Sequence, residues 1–227
     1  LFAVLALAAC GTANPTSEAT PCPVVEPCPD CPQISCPDCP ACPEAAGAII
    51  PFEAEWAGSP HNDIEAEAFR HWDADDPAEI PESCAKCHST PGYLAFMGAD
   101  GSQFGVVEGP APIGTTVECV ACHNEVTLEH DSVVFPSGLE LTDLGDQARC
   151  MECHQGRSSK ISVDESIAEA VGEDLDTVSE DLGFINIHYY AAAATRYGTE
   201  VKGGYEYDGL EYDPRFDHVQ GYQSCIS

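Results

Sequence analysis

Three times in this chain two cysteines stand three residues apart with a histidine directly after the second: Cys84, Cys87 and His88 in "SCAKCHST", Cys119, Cys122 and His123 in "ECVACHNE", Cys150, Cys153 and His154 in "RCMECHQG". No other feature constrains the fold as tightly. Zinc is the first rival explanation, since two Cys-x-x-Cys pairs complete a tetrahedral site. Zinc has no need of a histidine after each second cysteine, however, and three pairs do not divide evenly into four-ligand sites. A disulfide framework leaves the repeated histidine just as unexplained. The spacing is that of covalent haem c attachment. The two thiols add to the vinyl groups as thioethers, and the histidine behind them is the proximal iron ligand.

Three macrocycles would also supply apolar mass that the rest of the sequence lacks. Sustained hydrophobic periodicity is scarce in the 227 residues, and the chain between motifs is rich in glycine, proline and aspartate. A polypeptide so poor in regular elements needs another source of buried apolar volume, and its folding is then coupled to attachment. Cys225-Ile226-Ser227 repeats the start of the motif once more. The expectation is three haems c on this stretch, a fourth attached at Cys225 in a longer parent, and a sequence cut short at both ends.

Of the fourteen cysteines, six crowd between Cys22 and Cys42, each followed by proline. Alternating proline favours polyproline II, in which cysteines three apart sit about 9 Å from one another, beyond disulfide reach. Residues 10–50 therefore read as an extended or disordered spacer, with a metal site as the alternative if it folds back. Before it, "LFAVLALAAC" is too short to span a bilayer. Residues 1–9 read as a signal-peptide remnant, and Leu7-Ala8-Ala9-Cys10-Gly11 as a lipobox whose Cys10 carries a lipid. The membrane is then a partner through that lipid, on the periplasmic or outer side of a bacterial membrane. Acidic residues number 39 against 8 basic, a formal charge of −31. This excludes nucleic acid as a partner and favours cations or basic proteins.

Residues 51–227 remain for the haem-bearing domain. Ser59 followed by Pro60 predicts a helix start that carries His61 in its first turn and continues towards His71. Ser162 with Glu165 reads as a capping box for a helix stopping near Gly172, and "GFINIHYYAAAATRYG" as a helix bounded by Gly183 and Gly198. Asp208-Gly209 between aromatic residues signals a tight hairpin. The fold class is mainly α with much irregular loop: short helices and a small β-hairpin wrapped round a haem core.

The second axial ligands decide what the haems do. Met151 lies inside a motif, leaving Met97 as the one methionine candidate, against five spare histidines: His61, His71, His130, His188 and His218. Mostly bis-histidine ligation follows, suited to electron transfer. His188, with Ala191, Ala192 and Thr195 one turn on, is the first choice. His61 sits where a helix dipole keeps imidazole neutral, and His218 lies just before Cys225. His71 is either a ligand or a surface residue, and His130 reads as solvated at a turn. Arg149, Arg157, Lys160 and Lys86, near the motifs, are either propionate partners or plain surface charges. Tyr189, Tyr190, Tyr197 and Tyr205 read as packing on haem edges.

The segments "SPHNDIEAEAFRHW", "CAKCHS", "CVACHN", "CMECHQGR" and "NIHYYAAAATRYG" together resemble the multihaem c-type cytochrome superfamily, in particular its cytochrome c-552/c-554-like members. The resemblance covers residues 59–227. It implies stacked haem pairs held by short helices and loops, with other redox proteins or a terminal electron acceptor as partners. It implies an extracytoplasmic electron carrier of anaerobic respiratory or extracellular electron transport, more readily than an enzyme. The alternative is part of a multihaem reductase acting on nitrogen or sulfur oxyanions or hydroxylamine at an open haem. No Cys-x-x-Cys-Lys motif of the enzyme pattern is present.

Overall fold

The computed structural model describes residues 50–216, 221 and 224–226. Cys10, the cysteines from 22 to 42 and His218 lie outside the described residues. In the unit of residues 50–227 the elements run α1 (Glu53–Ala57), α2 (Glu67–Arg70), β1 (Glu79–Ile80), α3 (Glu82–His88), α4 (Thr90–Met97), β2 (Ala111–Pro112), α5 (Cys119–Cys122), α6 (Glu125–Leu128), β3 (Val133–Val134), β4 (Glu140–Leu141), α7 (Ala148–His154), α8 (Lys160–Val171) and α9 (Ala192–Tyr197). β1 pairs antiparallel with β2, Ile80 opposite Ala111, and β3 with β4, Val133 opposite Leu141. The described part is mostly helical, with irregular connections and two small antiparallel pairs.

Each motif is a helix, and helical geometry explains its spacing. Cys, Cys and His at i, i+3 and i+4 fall on one face. The residue after the first cysteine, or the one before the second, then points the other way. Ala85, Ala121 and Met151 are those residues, all fully buried, and each anchors a separate apolar cluster. Ala85 packs with Trp72, Ile80 and Ala111. Ala121 packs with Tyr93 and Met97. Met151 packs with Val133, Phe135, Leu144, Ala148, Ala193, Tyr197 and Val201. Three small apolar clusters thus underlie the three Cys-Cys-His triplets, with Cys84, Cys122 and Cys153 packed against them.

α3 and α4 follow one another directly, and Ser89 sets the junction between them. Its Oγ accepts the Gly92 N–H at 3.0 Å and donates to the Ala85 carbonyl at 2.9 Å, ending one helix and capping the next. Gly98, at φ 72°, closes α4. Gly92 is where the helices touch: a Cβ there would lie 2.3 Å from the Ala85 carbonyl oxygen. Only glycine fits.

Several sequence expectations need correction. No helix starts at Ser59, whose hydroxyl donates to the Trp56 carbonyl instead. Residues 59–66 form successive turns, helped by Asp63 Oδ1 accepting the Glu65 N–H, so His61 is on a turn. Local side-chain bonding of this kind competes with helix. The capping box of α8 is Ser159 with Ser162, one turn earlier than Ser162 with Glu165, although the stop at Gly172 is as expected. The last helix begins only at Ala192 and leaves His188 outside it. Asn186 Oδ1 takes the His188 N–H at 2.9 Å, and His188 and Tyr190 adopt φ 92° and 55°. Asp208-Gly209 does make a turn, closed by Leu210 N–H to Tyr207 carbonyl at 3.3 Å, but no strands flank it among the described residues.

Candidate haem-attachment sites

α3 and α7 carry their cysteine pairs and histidines within the helix, while α5 ends at Cys122 with His123 as its C-terminal cap. All six motif cysteines are free and half-buried. The Cys87 and Cys153 thiols lie close to one another, and their interaction lowers the Cys87 pKa and, with burial, raises that of Cys153. Burial, with a smaller contribution from Cys225, pushes Cys150 up to about 11. Burial likewise raises Cys122. The motifs are therefore neighbours. Tyr93, whose hydroxyl donates to the Arg149 carbonyl at 2.7 Å, lies among thiols of the second and third.

Two motif histidines have their tautomer fixed by the chain. His88 Nδ1–H donates to the Ala68 carbonyl at 2.8 Å, and His154 Nδ1–H donates to the Tyr190 carbonyl at 2.7 Å. A carbonyl only accepts, so the proton sits on Nδ1 and the Nε2 lone pair is left for a metal, the usual arrangement behind a ligating imidazole. Each of these rings also faces a second imidazole: His88 and His188 have ring centroids 5.8 Å apart, His61 and His154 6.2 Å apart. Two imidazoles on opposite sides of one metal, bonded at about 2 Å each, place their centroids roughly 6 Å apart. Burial lowers the pKa of His61, His88 and His188, and nearby Arg157 adds to this for His88 and His188. All three are therefore held neutral at physiological pH.

These pairs are made by crossing segments. The turn bearing His61 is held by the irregular segment leading into the second motif: Val117 N–H donates to the His61 carbonyl at 3.0 Å, and Trp56 Nε1 donates to the Val117 carbonyl at 2.9 Å. The segment bearing His188 is held by the tail of the third motif. Arg157 N–H donates to the Ile187 carbonyl at 2.9 Å, and Gly156, at φ 86°, packs on Ile187 so closely that a Cβ would sit 2.8 Å from Ile187 Cγ1. The third motif thus aims the histidine that meets the first.

The remaining candidates are placed differently. His123 is exposed, and no second imidazole is in ring contact with it among the described residues. His71 Nδ1 lies 2.9 Å from Glu67 Oε1, with its ring 5.1 Å from Trp72. Met97 is buried in the cluster beneath α5. Cys225 is free and exposed. Of the cations, Arg149 is buried against Asp146 at 3.0 Å with its Nη1 unpartnered, and Lys160 pairs with Asp164 at 2.5 Å. Tyr197 is core, packed on Phe135, while Tyr189 and Tyr190 are exposed.

His130 is the clearest departure from expectation. It is not solvated: its side chain is 9 % exposed, and Nε2 lies 2.9 Å from Glu152 Oε1. Glu152, inside the third motif, also takes Lys86 Nζ at 2.7 Å from inside the first, and Gln155 Nε2 at 3.1 Å. Burial pushes its carboxyl up, but His130 and Lys86 outweigh this and the net shift is downward. Removing one partner of such a pair costs about 3–5 kcal/mol. Sequence signalled it only weakly, as a lysine and a glutamate at the same motif position.

The donor set fits covalent haem c better than zinc. Each motif offers two thiols and an imidazole, in the first and third within one helix and with the tautomer and a facing imidazole that bis-histidine iron uses. Among the described residues, no group of three or more His, Cys, Asp or Glu side chains is arranged to hold a metal ion unaided. The residues that would hold the groups are Cys84, Cys87 and His88 with His188, Cys150, Cys153 and His154 with His61, and Cys119, Cys122 and His123. No family model and no solved structure matches the chain. It is similar to the C-type polyheme cytochrome OmcB of Geobacter sulfurreducens in strains DL-1 / KN400 and ATCC 51573 / DSM 12127 / PCA, 28% identical in each over an alignment 186 residues long that covers 66% of this chain. The chain spans 23% of the length of those relatives, and the similarity supports a place among multihaem c-type cytochromes.

Proposed function

We propose that this chain is part of an extracytoplasmic multihaem c-type cytochrome that carries electrons, with bis-histidine haems at its first and third motifs, and that it works in anaerobic respiratory or extracellular electron transport. The observation that carries this is the pairing of His88 with His188 and of His154 with His61 at ring separations of 5.8 and 6.2 Å. Bound haem supplies one-electron chemistry at iron. The chain's own residues would fix the proximal imidazoles through the Ala68 and Tyr190 carbonyls and would supply His188 and His61 as second ligands, while the formal charge of −31 would favour the more positive oxidation state. With a second imidazole facing each of these motif histidines, a haem held there would keep no position for substrate, which favours a carrier over a reductase at these two sites. The cytochrome c-552/c-554-like assignment, the lipid on Cys10, a haem at Cys225 and roles for His71 and His218 belong to the same proposal. Absorption and EPR spectra of the haem-loaded protein test it. Low-spin ferric signals for the first and third sites are expected, and high-spin signals there that shift with nitrite or hydroxylamine would favour the reductase.

A further inference from the structure

Lys86 and Glu152 occupy equivalent places, each just before the second cysteine of its motif. Holding a haem does not require either. Yet Lys86 Nζ reaches across to Glu152 Oε2 at 2.7 Å, and the carboxylate is only 4 % exposed. Glu152 is held from two further sides, by His130 Nε2 at 2.9 Å and Gln155 Nε2 at 3.1 Å. The ammonium is held as well, 4.0 Å over the Phe96 ring, and Phe96, Phe104 and His130 continue as ring contacts at 5.8 and 5.6 Å. Beside this ion pair the Cys153 thiol donates to the Lys86 carbonyl at 3.7 Å. The two attachment helices therefore meet at matching positions, through one charge pair and one thiol–carbonyl contact.

We propose that Lys86 and Glu152 are positioning residues that lock the first and third attachment helices together, so that these two sites act as a coupled pair and a change in either motif is felt at the other. A desolvated ion pair fixes geometry well when every remaining donor and acceptor is also satisfied, and His130 and Gln155 provide that. The crossing of His188 from the tail of the third motif to His88 of the first points the same way. This inference rests on the haem reading above.

The test uses the full haem-loaded chain. Lys86→Met is made in the first motif and read at the third, and Glu152→Gln is made in the third and read at the first. The EPR signals are assigned with His188→Ala and His61→Ala, and coupling of the pair is followed by the Soret circular-dichroism couplet of neighbouring haems. Each substitution is expected to shift the signal of the other motif's haem and to diminish the couplet, while Lys86→Arg retains both. Shifts confined to the substituted motif, with the couplet intact, would overturn the proposal. If either variant loads haem incompletely, peptide mapping decides. Loss from the first and third motifs together, with the second retained, is the expected pattern, whereas loss at one motif alone or equally at all three contradicts it. An unsubstituted chain that carries no haem would remove the underlying reading instead, which is a different result from a coloured chain with independent sites.

Discussion

His188 shows how much of the site depends on single residues with irregular backbones. At φ 92° it sits where a side chain is rarely tolerated, and such conformations persist only where the surroundings impose them. Asn186 Oδ1 on its N–H and the docking of Ile187 on Gly156 and Arg157 do so here. His188→Ala should convert the first site, and His61→Ala the third, from low-spin to high-spin ferric iron, each without loss of covalent haem. Absorption and EPR spectra with intact mass check this, and a variant that stays low-spin would assign the ligand elsewhere. His188 and His61 were both legible as candidates by counting histidines against motifs. Their partners were not, because pairing depends on which loops cross in space. The helix expected around His188 fails because Asn186 and Tyr190 divert the backbone locally, a competition that apolar spacing does not register.

Among the elements, the α3–α4 corner and the α5–α6 junction carry the attachment faces. Gly92→Ala would put a methyl group against the Ala85 carbonyl. Overpacking of this kind costs about 1–3 kcal/mol, and each kcal/mol lowers Tm by about 2–4 °C at this size. A thermal melt of the haem-loaded variant should show that loss, and an unchanged Tm would mean the helices meet differently. Asn124 follows the second motif and caps α6: Oδ1 accepts the Val126 and Thr127 N–H groups at 3.1 and 2.9 Å, and Nδ2 donates to the Val120 carbonyl at 2.8 Å. Asn124→Ala should cost about 1 kcal/mol as a lost cap, measured by denaturant unfolding, with the same haem content. The motif helices could be anticipated only as repeats. Their helical form follows from the burial of Ala85, Ala121 and Met151, and no short hydrophobic pattern around them announces it.

Across the described residues, three small apolar clusters and a buried ionic network do the holding that a single large core would do elsewhere. The clusters rely on alanines as much as on larger side chains, and large apolar residues such as Phe184 and Val178 remain 92 % and 94 % exposed. Such a chain should fold cooperatively only with its prosthetic groups attached. Expressed in a host that exports it but lacks haem ligation, it should give no sharp thermal transition and rapid proteolysis; a sharp transition in the haem-free chain would contradict this. The overall class, mainly helical with much loop, could be read from composition and motifs, since these set how little regular structure there is. The Lys86–Glu152–His130 network could not, because it joins residues from three separate parts of the sequence and His130 alone looks like a turn residue.

The proposed electron transfer depends first on covalent haem at the three Cys-x-x-Cys-His motifs. Intact-mass analysis of the protein from a host competent in cytochrome maturation, with a pyridine haemochrome spectrum of the same sample and peptide mapping of the motifs, tests it most directly. A red protein heavier than its polypeptide is expected, with one haem on each of Cys84/Cys87, Cys119/Cys122 and Cys150/Cys153. A colourless protein at the polypeptide mass, with its six motif thiols free or bound to zinc, would contradict it.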